Sequence, residues 1–345
     1  MTEPPPAFTR FAADLDADLR ASLPDPPYLP GLYGMLRYHL GWVDRAFQPS
    51  SAPAGKRLRP VLCLLATEAV GGSYRLALPA ASAVELVHSF SLVHDDIEDN
   101  SPERRHRPTL WKLWGRPQAI NAGDVLFAIA FETVARLSEL GHPSSLVLQA
   151  ANLLSLTCRR LCEGQYMDIS FEGRQRVSEQ EYYEMIAGKT ASLIACSAQL
   201  GALVGSGTLD SAEPWRRFGF HLGLAFQIQD DILGIWGEES QTGKPRGDDI
   251  RQRKKTLPIL YALNSAQEPT SSRLQAILHG AGPIPEKQIA EAEALLLQTG
   301  AKRYAEEQAE KHLANALLEL GAFDSAKPAV IELRQVAEHL LGRSA

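Results

Sequence analysis

The sequence predicts an all-α protein, a bundle of roughly ten or more helices. Apolar residues recur at three-to-four spacing along nearly the whole chain, which is the period of one helical face. Gly- and Pro-rich breaks separate these stretches, and no alternating strand pattern with hairpin turns stands out. No internal repeat of solenoid type appears either.

From the N-terminus, residues 1–30 read as a Pro-rich extension with a short helix around 7–22, and 31–345 as one domain, because no long linker divides it. Helices are expected at 34–48, 58–70, 76–99, 118–140, 144–170, 178–205, 211–236, 256–264, 285–298, 301–320 and 327–342. The breaks between them fall at Gly71-Gly72, Gly141-His142-Pro143, Gly205-Ser206-Gly207, Gly243 to Gly247 and Gly280 to Pro285. The long segments 76–99 and 211–236 each carry an acid pair near the end. A bundle that brings two such ends to one mouth makes a metal-rich pocket above an apolar shaft.

Bulk properties narrow the function. The chain has 345 residues and a net charge of −6, with no broad basic surface to suit a nucleic acid. Its start, Met1-Thr2-Glu3-Pro4-Pro5-Pro6, lacks the basic region and apolar core of a secretory signal. No apolar stretch approaches the roughly 20 residues of a transmembrane segment. Cys63, Cys158, Cys162 and Cys196 sit in apolar, helix-like contexts with no second Cys/His pair to complete a zinc site. They are read as reduced core residues, and the protein as cytoplasmic.

The chemistry concentrates in His94-Asp95-Asp96-Ile97-Glu98-Asp99, followed by Arg104-Arg105-His106-Arg107. Residues four apart on a helix share a face, so Asp95 and Asp99 aim two carboxylates at one point. A solvated helix end is the ordinary explanation of such a cluster. Here, however, the run leading in, residues 83–93, is largely apolar, and buried acids need a partner. A divalent cation supplies one: Mg²⁺ typically takes one or two protein carboxylates and fills its other positions with water and phosphate oxygens. Guanidinium forks downstream suit those phosphates.

A second pair, Asp230-Asp231, repeats this context after Phe226-Gln227, and a Gly/Lys/Arg-rich loop from Thr242 to Thr256 follows it. A third basic cluster, Gly55-Lys56-Arg57-Leu58-Arg59-Pro60, opens an apolar helix, where cations oppose the helix dipole unless an anion binds. His88 lies two turns before Asp95 on nearly the same face. As a lone histidine on an apolar helix it is equally well a satisfied core residue. Lys189-Thr190 sits mid-helix among small apolar residues and is a weak signal alone. Two acid sites and three basic clusters point to more than one bound polyanion. No Gly-rich phosphate loop or kinase signature supports phosphoryl transfer.

With these residues in order, the chain resembles the trans-polyprenyl diphosphate synthases, built on the class I isoprenoid synthase bundle around a central apolar shaft. The resemblance runs from about residue 30 to the C-terminus. It rests on Gly55 to Pro60, the DDxxD of Asp95, Asp96 and Asp99, Arg104-Arg105 with Pro108-Thr109, Gly164-Gln165, Lys189-Thr190, Phe226-Gln227 with Asp230-Asp231, and Gly243-Lys244 with Asp249 and Lys254. It implies that Asp95, Asp99 and Asp230 hold three Mg²⁺ ions on an allylic diphosphate gripped by Arg104, Lys189, Lys244 and Lys254. Lys56, Arg59, His88 and Arg105 would hold isopentenyl diphosphate. The Lys189 carbonyl, Thr190 hydroxyl and Gln227 would stabilise the allylic cation, and the assembly would be a homodimer. Three positions depart from the family pattern: Gly234 stands where a third Asp is common, and His106 and Arg253 where glycine is usual.

Phe90 and Ser91, five and four residues before Asp95, resemble the floor of type I geranylgeranyl diphosphate synthases, which implies a C20 product, with farnesyl diphosphate (C15) the alternative. A class I terpene cyclase would share the fold but need no second diphosphate site. A non-catalytic subunit of a heteromeric synthase would lose the first DDxxD, which is intact here.

Overall fold

The computed structural model describes residues 5–50, 52, 55–239, 245–280 and 282–342. Within them the chain is a helical bundle. Its main elements are α1 (Ala12–Ser22), α2 (Pro30–His39), α3 (Leu58–Ala69), α4 (Leu78–Glu98), α5 (Arg116–Ala135), α6 (Ser144–Glu172) and α7 (Glu179–Ile186). Next come α8 (Ser192–Ser206), α9 (Leu209–Trp236), α10 (Leu257–Ser265), α11 (Thr270–Leu278), α12 (Glu286–Gln298), α13 (Ala301–Leu320) and α14 (Pro328–Leu341). Single helical turns add to these at Ala7–Arg10, Leu110–Trp114 and Asp248–Arg251.

Several boundaries differ from the sequence reading, each for a local reason. The 34–48 helix ends at His39, and Val43 pairs with Pro49 in an isolated bridge instead. The 178–205 helix is broken by a π-helical turn, Ala187–Ala191, which contains Lys189 and Thr190. Helix α11 falls between the expected helices 256–264 and 285–298, in a stretch for which the sequence reading gives no element. Residues 7–22, set apart in the sequence as an extension, are part of the core, with Phe11, Leu15 and Leu19 fully buried. Cys162 is exposed, so only three of the four free cysteines are core residues.

The core forms two clusters that share α9. Trp215, Phe218 and Leu222 belong to the cluster that takes in residues of α3, α4, α5 and α8, whereas Leu224, Ile228, Ile232 and Ile235 belong to the one that takes in residues of α10 to α13. Among the described residues one helix, Tyr74–Glu98, is long and apolar enough to cross a membrane, and 78% of its apolar window is buried inside the protein. Those apolar residues are core, and they carry the first acid motif to the mouth of the bundle.

Between α4 and α5 lies a two-residue hairpin, Glu103–Arg104 paired with Arg107–Pro108. Its central residues, Arg105 and His106, have φ of 52° and 59°, as a tight hairpin turn of type I′ requires. Glycine is the easy occupant of such a position, and histidine is tolerated better than most residues. The same explanation covers Arg253, at φ 55°. Both departures from the family's glycines therefore fall on left-handed backbone.

Candidate active site

The two acidic helix ends meet. A pocket of about 360 Å³ is lined by Asp95, Asp99, Arg104, Lys189, Gln227, Asp230 and Lys254, together with Asp168, Tyr182, Asp231, Gly234 and Asp249. Of the residues expected around an allylic diphosphate, only Lys244 is missing from this set, because it lies outside the described residues.

Each acid pair divides its labour. Asp95 faces the pocket, and its neighbour Asp96 is 3% exposed and accepts a hydrogen bond from Arg104 Nε at 2.8 Å. Burial pushes the Asp96 carboxyl up to about 6, against the pull of Arg104. On α9, Asp230 faces the pocket while Asp231 is 5% exposed. Asp231 accepts hydrogen bonds from the Tyr182 hydroxyl at 2.7 Å, the Gln227 amide at 3.0 Å and the Leu257 N–H at 3.1 Å. That bond fixes the Gln227 amide so that its oxygen accepts from the Thr190 hydroxyl at 2.6 Å. Two oxygens, from Thr190 and Gln227, thus stand together beside the pocket.

Burial raises the Asp95 carboxyl, and the nearby Asp99 and Glu98 raise it further, while Lys189 and Arg104 oppose them. Among the described residues no three acids or histidines form a ready-made metal cage. The donors that Asp95, Asp99 and Asp230 bring to one pocket are hard carboxylate oxygens, which suit a Mg²⁺-type cation that completes its shell with water and phosphate. Lys189 donates to Asp168 on α6. The approach that makes this possible is at Gly164, where a Cβ would lie 2.1 Å from the Lys189 backbone nitrogen. The sequence reading missed Asp168, although it lies four residues after Gly164 and so shares its face. Lys254 sits in the field of Asp249, Asp99, Asp168 and Asp231, which raises its ammonium against the lowering by burial.

Gly234 has a specific consequence. A Cβ there would lie 2.0 Å from Asp249 Oδ2, so the carboxylate of the Asp248–Arg251 turn stands where a side chain at 234 would begin. The third carboxylate at this helix end comes from the downstream turn.

A second, smaller pocket adjoins the first. Arg57, His88 and Arg105 line it with His39, Glu85 and Leu92, and Leu92 lines both pockets. Arg59 Nη1 lies 3.2 Å from His88 Nε2, and the field on Arg59 comes from Glu85, Asp230 and Asp95 together. Both histidines are held neutral by burial and by the surrounding arginines, His39 with its pKa lowered to about 3. Gly55, at φ 79°, brings the backbone so close to Arg105 that a Cβ would fall 2.4 Å from its Nη2. Arg59, His88 and Arg105 are therefore brought together, and Lys56 stands exposed on the same loop. The hairpin separates the neighbouring arginines: Arg104 goes to Asp96 and the larger pocket, Arg105 to the smaller. Arg107 is structural, donating to the carbonyls of Tyr38 and Val43 at 3.0 and 2.8 Å.

Phe90 lies below Asp95 on α4 and is 6% exposed. It makes an edge contact with Phe127 of α5 at 5.1 Å between centroids, and Phe127 in turn meets Phe131 at 5.1 Å. The sequence reading held only Phe90 and Ser91. Ser91 is 9% exposed, and its hydroxyl is turned back to the His88 carbonyl at 2.8 Å.

An all-α bundle with two acidic helix ends meeting at one pocket has the isoprenoid synthase class of fold. The polyprenyl synthetase family model matches residues 41–296, and the chain belongs to that family. It is 38% identical over 319 residues to the (2E,6E)-farnesyl diphosphate synthase of Mycobacterium tuberculosis, covering 92% of this chain and 87% of that one. It is also 38% identical over 286 residues to the geranylgeranyl diphosphate synthase of the same organism, covering 83% and 80%. The crystal structure of geranylgeranyl pyrophosphate synthetase from Pyrococcus horikoshii superposes with a TM-score of 0.87 at 35% identity, covering 98% of each chain. The protein is a prenyltransferase, a short-chain trans-prenyl diphosphate synthase.

Proposed function

We propose that this enzyme condenses isopentenyl diphosphate with an allylic prenyl diphosphate and carries the chain to geranylgeranyl diphosphate, C20. The observation that carries the reading is the cluster of arginines around a small cavity of about 10 Å³ that adjoins the larger pocket walled by carboxylates and lysines. A cyclase on the same fold needs only the larger pocket.

In this reading Asp95, Asp99 and Asp230 hold three Mg²⁺ ions, which when bound neutralise the allylic diphosphate and make it a better leaving group. Arg104, Lys189 and Lys254 grip the same diphosphate, joined by Lys244. Lys56, Arg59, His88 and Arg105 hold isopentenyl diphosphate, with its double bond towards the allylic carbon. When the allylic C–O bond breaks, the cation lies against the Thr190 and Gln227 oxygens and the Lys189 carbonyl. The π-turn supports the last role, because winding i→i+5 interrupts the ordinary helical ladder there. The isopentenyl double bond attacks, and the proton lost in the final step goes to the released diphosphate. No side-chain base is required.

Product length follows from the floor. In this reading Phe90 is the floor of the product channel below Asp95, and Ser91 is the smaller neighbour that leaves room for a C20 chain. The second reading, C15, is favoured by Phe127 and Phe131, which back Phe90 and stiffen the floor. Incubation with Mg²⁺, isopentenyl diphosphate and dimethylallyl, geranyl or farnesyl diphosphate, followed by chain-length analysis, decides between them. Phe90→Ala is expected to lengthen the product by at least one five-carbon unit. An unchanged product would remove Phe90 as the floor, and consumption of an allylic diphosphate without isopentenyl diphosphate would sink elongation itself.

The assembly in this reading is a homodimer through α5 and α6. Ile120 and Phe127, seven residues apart on one face of α5, are 44% and 37% exposed, and Leu148, Leu156 and Ile169 of α6 are 63%, 39% and 41% exposed. Light scattering at twice the chain mass of 37.8 kDa is the expected result; a monomer mass would reject it.

A further inference from the structure

The smaller pocket holds a carboxylate that the reaction does not use. Glu85 lies on α4 three residues before His88, one turn away on the same face, and it lines the pocket with His88, Arg57 and Arg105. It is 6% exposed, and its Oε2 has no hydrogen-bond partner among the described residues. Arg59 Nε is likewise buried without one.

The charges facing Glu85 come from every neighbouring element. Burial raises the Glu85 carboxyl above the usual carboxylate range, and Arg57 and Arg59 at the start of α3 and Arg105 on the hairpin oppose that rise with a field that favours the ionised form. His88 on α4 and His39 on α2 are neutral and add no charge. Asp16 of α1 is engaged with Arg57 at 2.9 Å. Three guanidiniums gathered with no anion among them repel one another, and the repulsion is strong where water is thin. Glu85 supplies the one negative charge common to all three.

A diphosphate changes this balance. It presents several strongly accepting oxygens, and guanidiniums prefer them in bidentate geometry. Once the arginines turn to the phosphates, Glu85 is left buried beside a polyanion. An unpaired buried carboxylate next to like charge is costly as the ion, so it takes a proton instead.

We propose that Glu85 is a positioning residue of the isopentenyl diphosphate half-site: an internal counter-ion that keeps Arg57, Arg59 and Arg105 gathered in the free enzyme, yields them to the incoming diphosphate, and binds a proton from solvent as it does. The proposal rests on the reading that this pocket takes the diphosphate of isopentenyl diphosphate. It makes substrate entry an exchange of anions, one built in and one bound.

The test is calorimetric titration of isopentenyl diphosphate alone into the full-length enzyme, in two buffers of different ionisation enthalpy at one pH. The wild type is expected to take up about one more proton per ligand than Glu85→Gln, whose amide fills the same volume and cannot titrate. Glu85→Asp, which keeps the carboxyl, is expected to recover part of the uptake. In steady state, Glu85→Gln is expected to raise KM for isopentenyl diphosphate about tenfold and leave KM for the allylic substrate unchanged. General structural damage would move both. Binding with equal proton counts in wild type and Glu85→Gln overturns the role of Glu85 and leaves the half-site standing. Absence of binding to the wild type overturns the half-site reading, and the proposal with it.

Discussion

The ends of α4 and α9 look like copies in the sequence, and the structure shows how they differ. In each adjacent pair the first aspartate, Asp95 or Asp230, is the more open to the pocket. The second, Asp96 or Asp231, is nearly buried and tied up in hydrogen bonds, although Asp231 still borders the pocket wall. Asp96 serves a cation, holding Arg104 at 2.8 Å. Asp231 serves neutral donors, the Tyr182 hydroxyl, the Gln227 amide and the Leu257 N–H. The first end thereby positions the arginine proposed to hold a phosphate, and the second positions the oxygens that would face a cation. Their third carboxylates differ too. Asp99 comes from one turn further along α4, whereas Asp249 reaches Gly234 from a separate turn. Repetition of a motif therefore signals a shared pocket, and the buried partner of each pair decides what the repeat does.

The largest expected effects come from separating pocket acids from buried ones. Asp95→Asn and Asp230→Asn each remove a carboxylate from the pocket, and kcat is expected to fall about 10³-fold, the scale of lost charge stabilisation at a reacting group. Stability of the metal-free protein should respond in the opposite sense for Asp95, because burial and neighbouring acids already disfavour its charge; Asp95→Asn should hold or raise the denaturation midpoint. Asp96→Asn and Asp231→Asn instead weaken bonds to buried partners, at a cost of about 1–3 kcal/mol in stability. Their kcat should fall by only about 10- to 100-fold. Denaturant titrations beside steady-state rates check this. If Asp96→Asn matched Asp95→Asn in rate without losing stability, the division between the two members of the pair would be wrong.

Much of this comparison was legible in the chain. The DDxxD, the second Asp pair and the basic clusters are local patterns, and a helical period converts their spacing into shared faces. Contacts that depend on tertiary approach were not legible. Asp168 pairs with Lys189 only because Gly164 lets α6 touch the π-turn. Glu85 reads as a stray polar residue in an apolar run until α2, α3 and the hairpin close round it. Residues 7–22 looked like a tail because prolines flank them, but Phe11, Leu15 and Leu19 form one helical face, and that face is fully buried. His106 and Arg253 looked like loop variants of a glycine. Their φ angles show why glycine is usual: each position lies in the left-handed region.

A smaller effect, and the sharpest test of the comparison, lies at Gly234. If Asp249 stands in for the third acid of the α9 motif, the carboxylate should be movable. Gly234→Asp alone puts a Cβ into the space of the Asp249 carboxylate, 2.0 Å from Oδ2, and adds like charge beside it, so activity should fall about tenfold. Asp249→Gly alone removes the acid and should cost a similar factor. The double variant Gly234→Asp/Asp249→Gly frees the space and returns one carboxylate from the helix itself, as Asp99 does on α4. Its rate should recover most of the loss, with a coupling of about 1–2 kcal/mol between the two sites. Metal affinity, measured by Mn²⁺ titration of the free protein, should follow the same pattern. Additive losses in the double variant would mean that Asp249 only fills space beside Gly234, and that the second helix end works with Asp230 alone.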